Sequence, residues 1–147
     1  MKLVIQRVLS SSLYIEGSLI SQIKKGLVVL IGISKSDNVN IIDKLIEKLL
    51  KLRIFEDENS KMNHSILDIN GEILLVSQFT LYADTKKGNR PSFIQAAHPK
   101  NAEPIYNKFL EKLNVALGDK IKTGKFGAKM QVRLVNDGPV TIIIENS

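Results

Sequence analysis

The chain has 147 residues, enough for one domain with its own core, and its 44% hydrophobic and 24% charged residues are ordinary for a soluble globular protein. It contains no cysteine, which excludes disulfides, thiolate catalysis and cysteine-based zinc sites, and only two histidines, which leaves little for a histidine-rich metal site. The net charge of +6 suits a polyanionic partner such as nucleic acid, although a lysine-rich solvated face is the simpler account of any single lysine. The opening MKLVIQRVL breaks its apolar run at Gln6 and Arg7, too early for a signal-peptide core. No apolar stretch approaches the ~20 residues of a membrane span, so a cytoplasmic protein is the expectation.

Residues 2–9 alternate as a strand, with Leu3, Ile5 and Leu9 on one face. Arg7 falls on that same face, a charge in an apolar row. Residues 12–16 and 18–23 read as a hairpin around Gly17. Gly26 then precedes LVVLIGI, the continuous apolar run of a strand buried on both sides. Residues 38–54 carry a helical stripe of Ile41, Leu45, Leu49 and Leu52, with Asp37 as N-cap. A polar loop over residues 56–65 and a turn at Asn70-Gly71 lead to LLVSQFTLYAD, residues 74–84.

That run admits Ser77, Gln78 and Thr80 at the end of an apolar strand. If it stays extended, Leu74, Val76, Gln78, Thr80 and Tyr82 point one way, and Ser77, Phe79 and Leu81 the other. Gln78 and Thr80 would then emerge together beyond an apolar wall and line a small pocket floor. The blander alternative is a strand end whose polar side chains satisfy backbone groups.

A second helix is predicted over residues 102–117, with Ile105, Phe109, Leu113 and Leu117 at four-residue spacing, Pro104 in its first turn and Gly118 just beyond its end. Two strands, at about 129–135 and 140–145, finish the chain around Asn136-Asp137-Gly138-Pro139, which reads as a hairpin turn. A Gly-Pro pair in the cis form would make a tight, rigid corner, and nothing in the composition selects cis over trans. No internal repeat or linker appears. The fold class is therefore α+β, a β-rich, barrel-like curved sheet with two main helices, as a single domain over residues 1–147.

Chemistry is sparse. His64 and His98 lie in polar or proline-flanked loops and read as surface residues, and no pair of carboxylates stands apart from helix-face charges. Cations gather at Lys86-Lys87 with Arg90, and at Lys120, Lys122, Lys125 and Lys129. An enzyme made from this chain has no evident acid–base pair, metal or cofactor.

The combination of LLVSQFTLYAD, TKKGNRPSF and FGAKMQVRLVNDGPVT closely resembles the D-aminoacyl-tRNA deacylases, and the likeness runs from KLVIQRV through LRIFEDE and KMNHSILDINGE to the last strand. The resemblance implies a barrel-like α+β homodimer that hydrolyses the ester of D-aminoacyl-tRNA as a proofreading step in translation, with its sites at the subunit interface and no cofactor. It implies that Ser77, Gln78, Phe79 and Thr80 hold the 3′-terminal adenosine and the ester. Gly138 and Pro139 would form a Gly-cis-Pro pair entering the partner's site, where their carbonyls meet the substrate amino group and leave no space for an L side chain. Arg7 would brace that pair, and Ala128 and Met130 would be pocket wall. Glycine, lacking a side chain, should pass such a filter. The chemistry is expected to rest on backbone N–H groups near Gln78 and Phe79 as an oxyanion site, with a positioning role for Thr80. Alternatives are a sister-branch L-alanyl-tRNA deacylase, a tRNA-binding module without chemistry, and a purely structural homodimer. Ser77 and Phe79 point to the D-specific branch, because the sister branch has a Pro-Gln-Ala-Thr-like segment.

Overall fold

The computed structural model describes residues 1–146. Eight strands, β1 (Lys2–Ile15), β2 (Ser18–Ile23), β3 (Gly26–Gly32), β4 (Phe55–Glu56), β5 (Met62–His64), β6 (Glu72–Ser77), β7 (Ile121–Thr123) and β8 (Gln131–Glu145), accompany two α-helices, α1 (Ile42–Lys51) and α2 (Pro99–Leu117). Six strands form one sheet in the order β2-β1-β3-β6-β7, with β8 on β1. The two ends of that path meet: the Ser21 hydroxyl of β2 donates to the Thr123 carbonyl of β7, so the sheet nearly closes into a barrel. The α+β expectation holds.

The barrel-like curvature gives the sheet two buried faces, and the alternation of side chains fills both. In β3, Leu27, Val29 and Ile31 join the large core beneath the helices, while Val28 joins a smaller cluster inside the barrel. In β6, Ile73 and Leu75 go to the first and Leu74 and Val76 to the second. A strand buried on both sides must be apolar at every position, which is why LVVLIG and ILLV are continuous runs. From the helices, Ile42, Leu45, Leu49, Phe109 and Leu113 complete the large core.

Several sequence expectations need correcting. β1 is one strand of 14 residues, not two, and Leu9 is exposed. Between the pairs Val8↔Asn136 and Ser11↔Leu134, β1 has two residues opposite one of β8; this bulge shifts the pleat and turns Leu9 to solvent. Asp37 is not a helix cap. Its carboxylate accepts the Ser34 N–H at 2.7 Å and pairs with the N-terminal ammonium, and Asn38 caps the short 3₁₀ turn Val39–Ile41 that leads into α1. The polar stretch after Glu56 contains β5, which pairs back on β4 as a small hairpin. Helix α2 begins earlier than expected, with His98 as its cap and Pro99 at its first position. Pro104 therefore lies in the second turn, where it denies the Lys100 carbonyl its usual partner. The last two predicted strands are one strand, β8, with the NDGP segment inside it.

The parallel pair β3–β6 fixes the barrel's far side, and it requires Gly26. A Cβ there would lie 1.8 Å from the Glu72 carbonyl oxygen, which is backbone and cannot swing away. Gly26→Ala is therefore expected to lower the urea midpoint by the equivalent of about 3 kcal/mol, with the denaturant slope unchanged. A midpoint within a few tenths of a molar of wild type would show that the β3–β6 spacing is not fixed at this point.

Candidate active site

At the C-terminal ends of the parallel strands the chain changes course. The ladder gains one last bond, from the Gln78 N–H to the Ile31 carbonyl at 2.7 Å, and then residues Phe79–Tyr82 turn as a 3₁₀ helix across the end of β3. That crossing needs Gly32, because a Cβ on it would sit 3.0 Å from Leu81 Cβ and 3.1 Å from the Gln78 carbonyl oxygen. The strict two-face alternation expected beyond Ser77 thus fails. Gln78 and Thr80 nonetheless meet, since the Gln78 amide donates to the Thr80 hydroxyl.

The turn borders a cavity of about 700 Å³. Ser77, Gln78 and Phe79 line one side, Ala128 and Met130 another, and Phe93, Ile94 and His98 a third. Thr80 is not part of the lining and is exposed. Phe79, 57% exposed, packs edge to face on Phe93 with ring centroids 5.1 Å apart, so apolar surface stands open at the rim. The wall is mainly aliphatic and aromatic. Lys35 and His98 are its only ionisable side chains among the described residues, and no carboxylate lines it.

The available chemistry is that of backbone donors. The Gln78 N–H is spent on Ile31 and cannot serve an incoming oxygen. Among the described residues the N–H groups of Phe79 and Thr80 have no acceptor, because they open the 3₁₀ turn. The Thr80 hydroxyl has an amide donor beside it and no imidazole or carboxylate to take its proton. No group of three or more His, Asp or Glu side chains among the described residues could hold a metal ion.

The second motif lies elsewhere on the barrel. Gln6 pairs with Thr141 and Val8 with Asn136, so the single residue Arg7 faces the four residues 137–140, which bulge out of β8. The Gly138-Pro139 bond at its crest is cis and both residues are exposed. Arg7, only 4% exposed, sits beneath. Its Nε donates to the Asp137 carbonyl at 3.2 Å and lies 3.3 Å from the Asp137 carboxylate, and Nη1 donates to the buried Ile54 carbonyl at 2.8 Å. Glu56 stands 3.8 Å from Nη2. From the other side, the Asn136 side chain accepts the Val140 N–H and donates to Thr141. Gly138 has φ +120, and a Cβ on it would fall 2.8 Å from Val140 Cγ2 and 3.1 Å from Arg7 Nη2. Neither Gly138 nor Pro139 lines the cavity of its own chain. The structure brings Ser77, Gln78, Phe79, Ala128 and Met130 together, and separately joins Arg7 to the Gly138-Pro139 bulge.

Sequence reading missed Phe93, Ile94 and His98 as cavity lining. His98 is exposed, as the sequence suggests; its Nδ1 accepts the Lys100 N–H at 3.3 Å and caps α2 at the cavity edge. The Ala-His-Pro run before a helical stripe is a legible cap signal, but nothing local tells which way the cap faces.

These features define a class: a small barrel-like α+β chain with an apolar cavity at the carboxyl ends of two parallel strands, furnished with backbone donors rather than an acid–base pair. In fold it superimposes with a TM-score of 0.95 on a solved structure of a c-Myc DNA unwinding element binding protein, 47% identical and covering 100% of this chain and 99% of that one. It also matches, at a TM-score of 0.82 and 17% identity over 97% of both chains, a structure described as a "probable eukaryotic D-amino acid tRNA deacylase". The family model for D-Tyr-tRNA(Tyr) deacylase matches residues 4–145, and the chain belongs to that family. Relatives named D-aminoacyl-tRNA deacylase include those of Flavobacterium psychrophilum, 56% identical over 146 residues, and Bacteroides fragilis, 54% identical over 145 residues. Each alignment covers 99% of this chain and 97% of the relative.

Arg7 satisfies one buried carbonyl, that of Ile54, and one part-buried carbonyl, that of Asp137. Arg7→Met is expected to cost about 2 kcal/mol of unfolding free energy by orphaning them. Arg7→Lys should recover only part of this, because an ammonium lacks the planar fork that reaches Ile54 and Asp137 together. Chemical denaturation of the three proteins checks it, and a full-strength Lys variant would contradict the geometric reading.

Proposed function

We propose that this chain is a D-aminoacyl-tRNA deacylase that hydrolyses the ester joining a D-amino acid to the 3′-terminal adenosine of tRNA. The observation that carries this is the 56% identity over nearly the whole chain to a relative of that name, with the SQFT and NDGPVT segments intact. An aminoacyl ester is already activated, so the enzyme's task is to hold it, aim donors at the developing oxyanion and admit water. The adenosine end of the substrate occupies the cavity beside Ser77, Gln78 and Phe79, against Ala128 and Met130. The free N–H groups of Phe79 and Thr80 are the donors for the oxyanion, and a single such donor is worth ~10²–10³ in rate. Thr80, tethered by the Gln78 amide, positions rather than attacks. The neighbouring ribose 2′-hydroxyl is the group best placed on the substrate itself to assist.

Chirality is read by exclusion. The exposed Gly138-Pro139 corner has no role in its own chain's cavity, and that cavity has an open apolar rim. A second copy supplies the corner: in the homodimer each Gly138-Pro139 closes the partner's cavity, presents its carbonyls to the substrate ammonium and fills the volume an L side chain would need. The corner cannot yield, because Arg7 holds it from below. Each 1.4 kcal/mol of clash multiplies discrimination tenfold. Glycine offers nothing to clash and is accepted.

With sub-stoichiometric protein, D-tyrosyl-tRNA should lose its amino acid over many turnovers, L-tyrosyl- and L-alanyl-tRNA should survive, and glycyl-tRNA should be cleaved. Gly138→Ala, which forces the corner to shift, should reduce D-tyrosyl-tRNA cleavage at least tenfold. Cleavage of L-alanyl-tRNA alone would assign the chain to the sister activity, and cleavage of none would refute the deacylase reading.

A further inference from the structure

We propose that the hairpin formed by residues 84–92 is the surface along which the phosphates of the substrate's RNA end lie, with Lys86, Lys87 and Arg90 as the contacting cations. The inference rests on the deacylase reading of the cavity and assigns it a second, electrostatic half.

The hairpin is rooted at the cavity mouth on both sides. Its incoming arm follows the 3₁₀ turn that starts with Phe79, and its outgoing arm runs directly into Phe93 and Ile94 of the lining. The edge-to-face contact of Phe79 with Phe93 ties the two roots together. Two backbone bonds between Asp84 and Ser92, at 2.8 and 2.9 Å, close the base. Beyond that base every residue from Thr85 to Pro91 is exposed. Gly88 is four positions beyond Asp84, so the backbone of this arm extends at most about 14 Å from the hairpin base. That reach matches the backbone of the last few nucleotides before an ester held in the cavity, not the distant body of a tRNA.

Position and charge together single out this hairpin. Four lysines elsewhere are matched, Lys51 with Glu47, Lys108 with Glu111, Lys112 with Asp43 and Lys2 with Glu145, whereas others, such as Lys44 and Lys48 on α1 and Lys122, Lys125 and Lys129, have no acidic partner among the described residues. Among the described residues Lys86, Lys87 and Arg90 have no acidic partner within ion-pair distance. The hairpin's one acid, Asp84, accepts the Lys86 backbone N–H at 2.9 Å and so stabilises the turn rather than a lysine side chain. Three uncompensated cations in a stretch of five residues, at the mouth of a cavity with no carboxylate in its lining, form an attractive field for a polyanion end.

The test compares wild type with a hairpin triple variant, Lys86→Gln/Lys87→Gln/Arg90→Gln, and a charge-matched control on α1, Lys44→Gln/Lys48→Gln/Lys51→Gln. Two substrates are used: D-tyrosyl-tRNA, and D-tyrosyl-adenosine, the same ester without any phosphate. The hairpin variant is expected to raise KM for D-tyrosyl-tRNA about tenfold and to flatten the log–log salt dependence of kcat/KM by about 2, from the loss of three phosphate contacts. Its rate on D-tyrosyl-adenosine should stay within twofold of wild type, and the α1 control should match wild type on both. Equal weakening by the control would reduce the effect to net charge and overturn the proposal. So would an unchanged KM and salt slope in the hairpin variant, or a parallel loss on the nucleoside ester, which would make the hairpin a shaper of the cavity. If wild type cleaves neither ester, the deacylase reading has failed on its own. Filter binding of uncharged tRNA to the three proteins then decides the hairpin's part, with selective weakening in the hairpin variant supporting it and equal binding refuting it.

Discussion

The arrangement turns on one buried cation. A guanidinium taken out of water is tolerated only when its donors are met, and Arg7 meets them with the Ile54 carbonyl, the Asp137 carbonyl and the Asp137 carboxylate. These bonds join three separate pieces of chain: the middle of β1, the segment entering β4, and the bulge of β8. The sheet register dictates the geometry, because one residue of β1 faces four of β8 and the surplus must leave the ladder. Without an anchor, three surplus residues at a bulge would be a loop. With Arg7 below and the Asn136 amide beside it, they form a fixed corner that projects from the protein.

The other motif is placed by the opposite device, a close approach permitted by missing side chains. Gly26 lets β3 and β6 run together, the Gln78 N–H closes their last bond, and Gly32 lets the following turn cross the strand end. The outcome is two free N–H groups beside an apolar cavity. Each motif is incomplete by itself. The cavity has donors and an open rim, and the corner has rigidity and exposure but lines no cavity of its own chain. The proposed homodimer joins them, and the basic hairpin at the rim is the surface proposed to extend the same site toward the RNA.

Much of this was legible in the sequence because core burial imposes period and continuity. LVVLIGI had to be a strand covered on both faces, and Leu45, Leu49, Phe109 and Leu113 had to face one core. Arg7 announced itself as a charge on an apolar row. The errors share one cause, which is backbone irregularity. Leu9 is exposed because a bulge shifts the pleat, and the NDGP segment is a bulge within one long strand where turn residues suggested a hairpin. The strand leaves its extended course after Ser77 because Gly32, 45 positions earlier by subtraction, leaves room for a turn. Such events depend on what the neighbouring strand does, and no local window carries that information. Residue types alone likewise could not pair Phe79 with Phe93 or turn His98 toward the cavity. The resemblance carried the assignment of Gly138, Pro139, Ala128 and Met130, and the structure supplies a physical setting for each.

The central claim, that the Arg7-held corner of one copy completes the cavity of another, is tested most directly by subunit complementation. Ala128→Trp fills the cavity and leaves the corner intact, whereas Gly138→Ala distorts the corner and leaves the cavity open. Each homodimer is expected to be nearly inactive on D-tyrosyl-tRNA. Co-expressed at equal levels, they should form hybrids with one intact composite site, restoring about a quarter of wild-type activity for random pairing of subunits. A co-expressed preparation no more active than the sum of the two homodimers, with hybrid formation verified by mass, would contradict the claim and return the corner to its own chain.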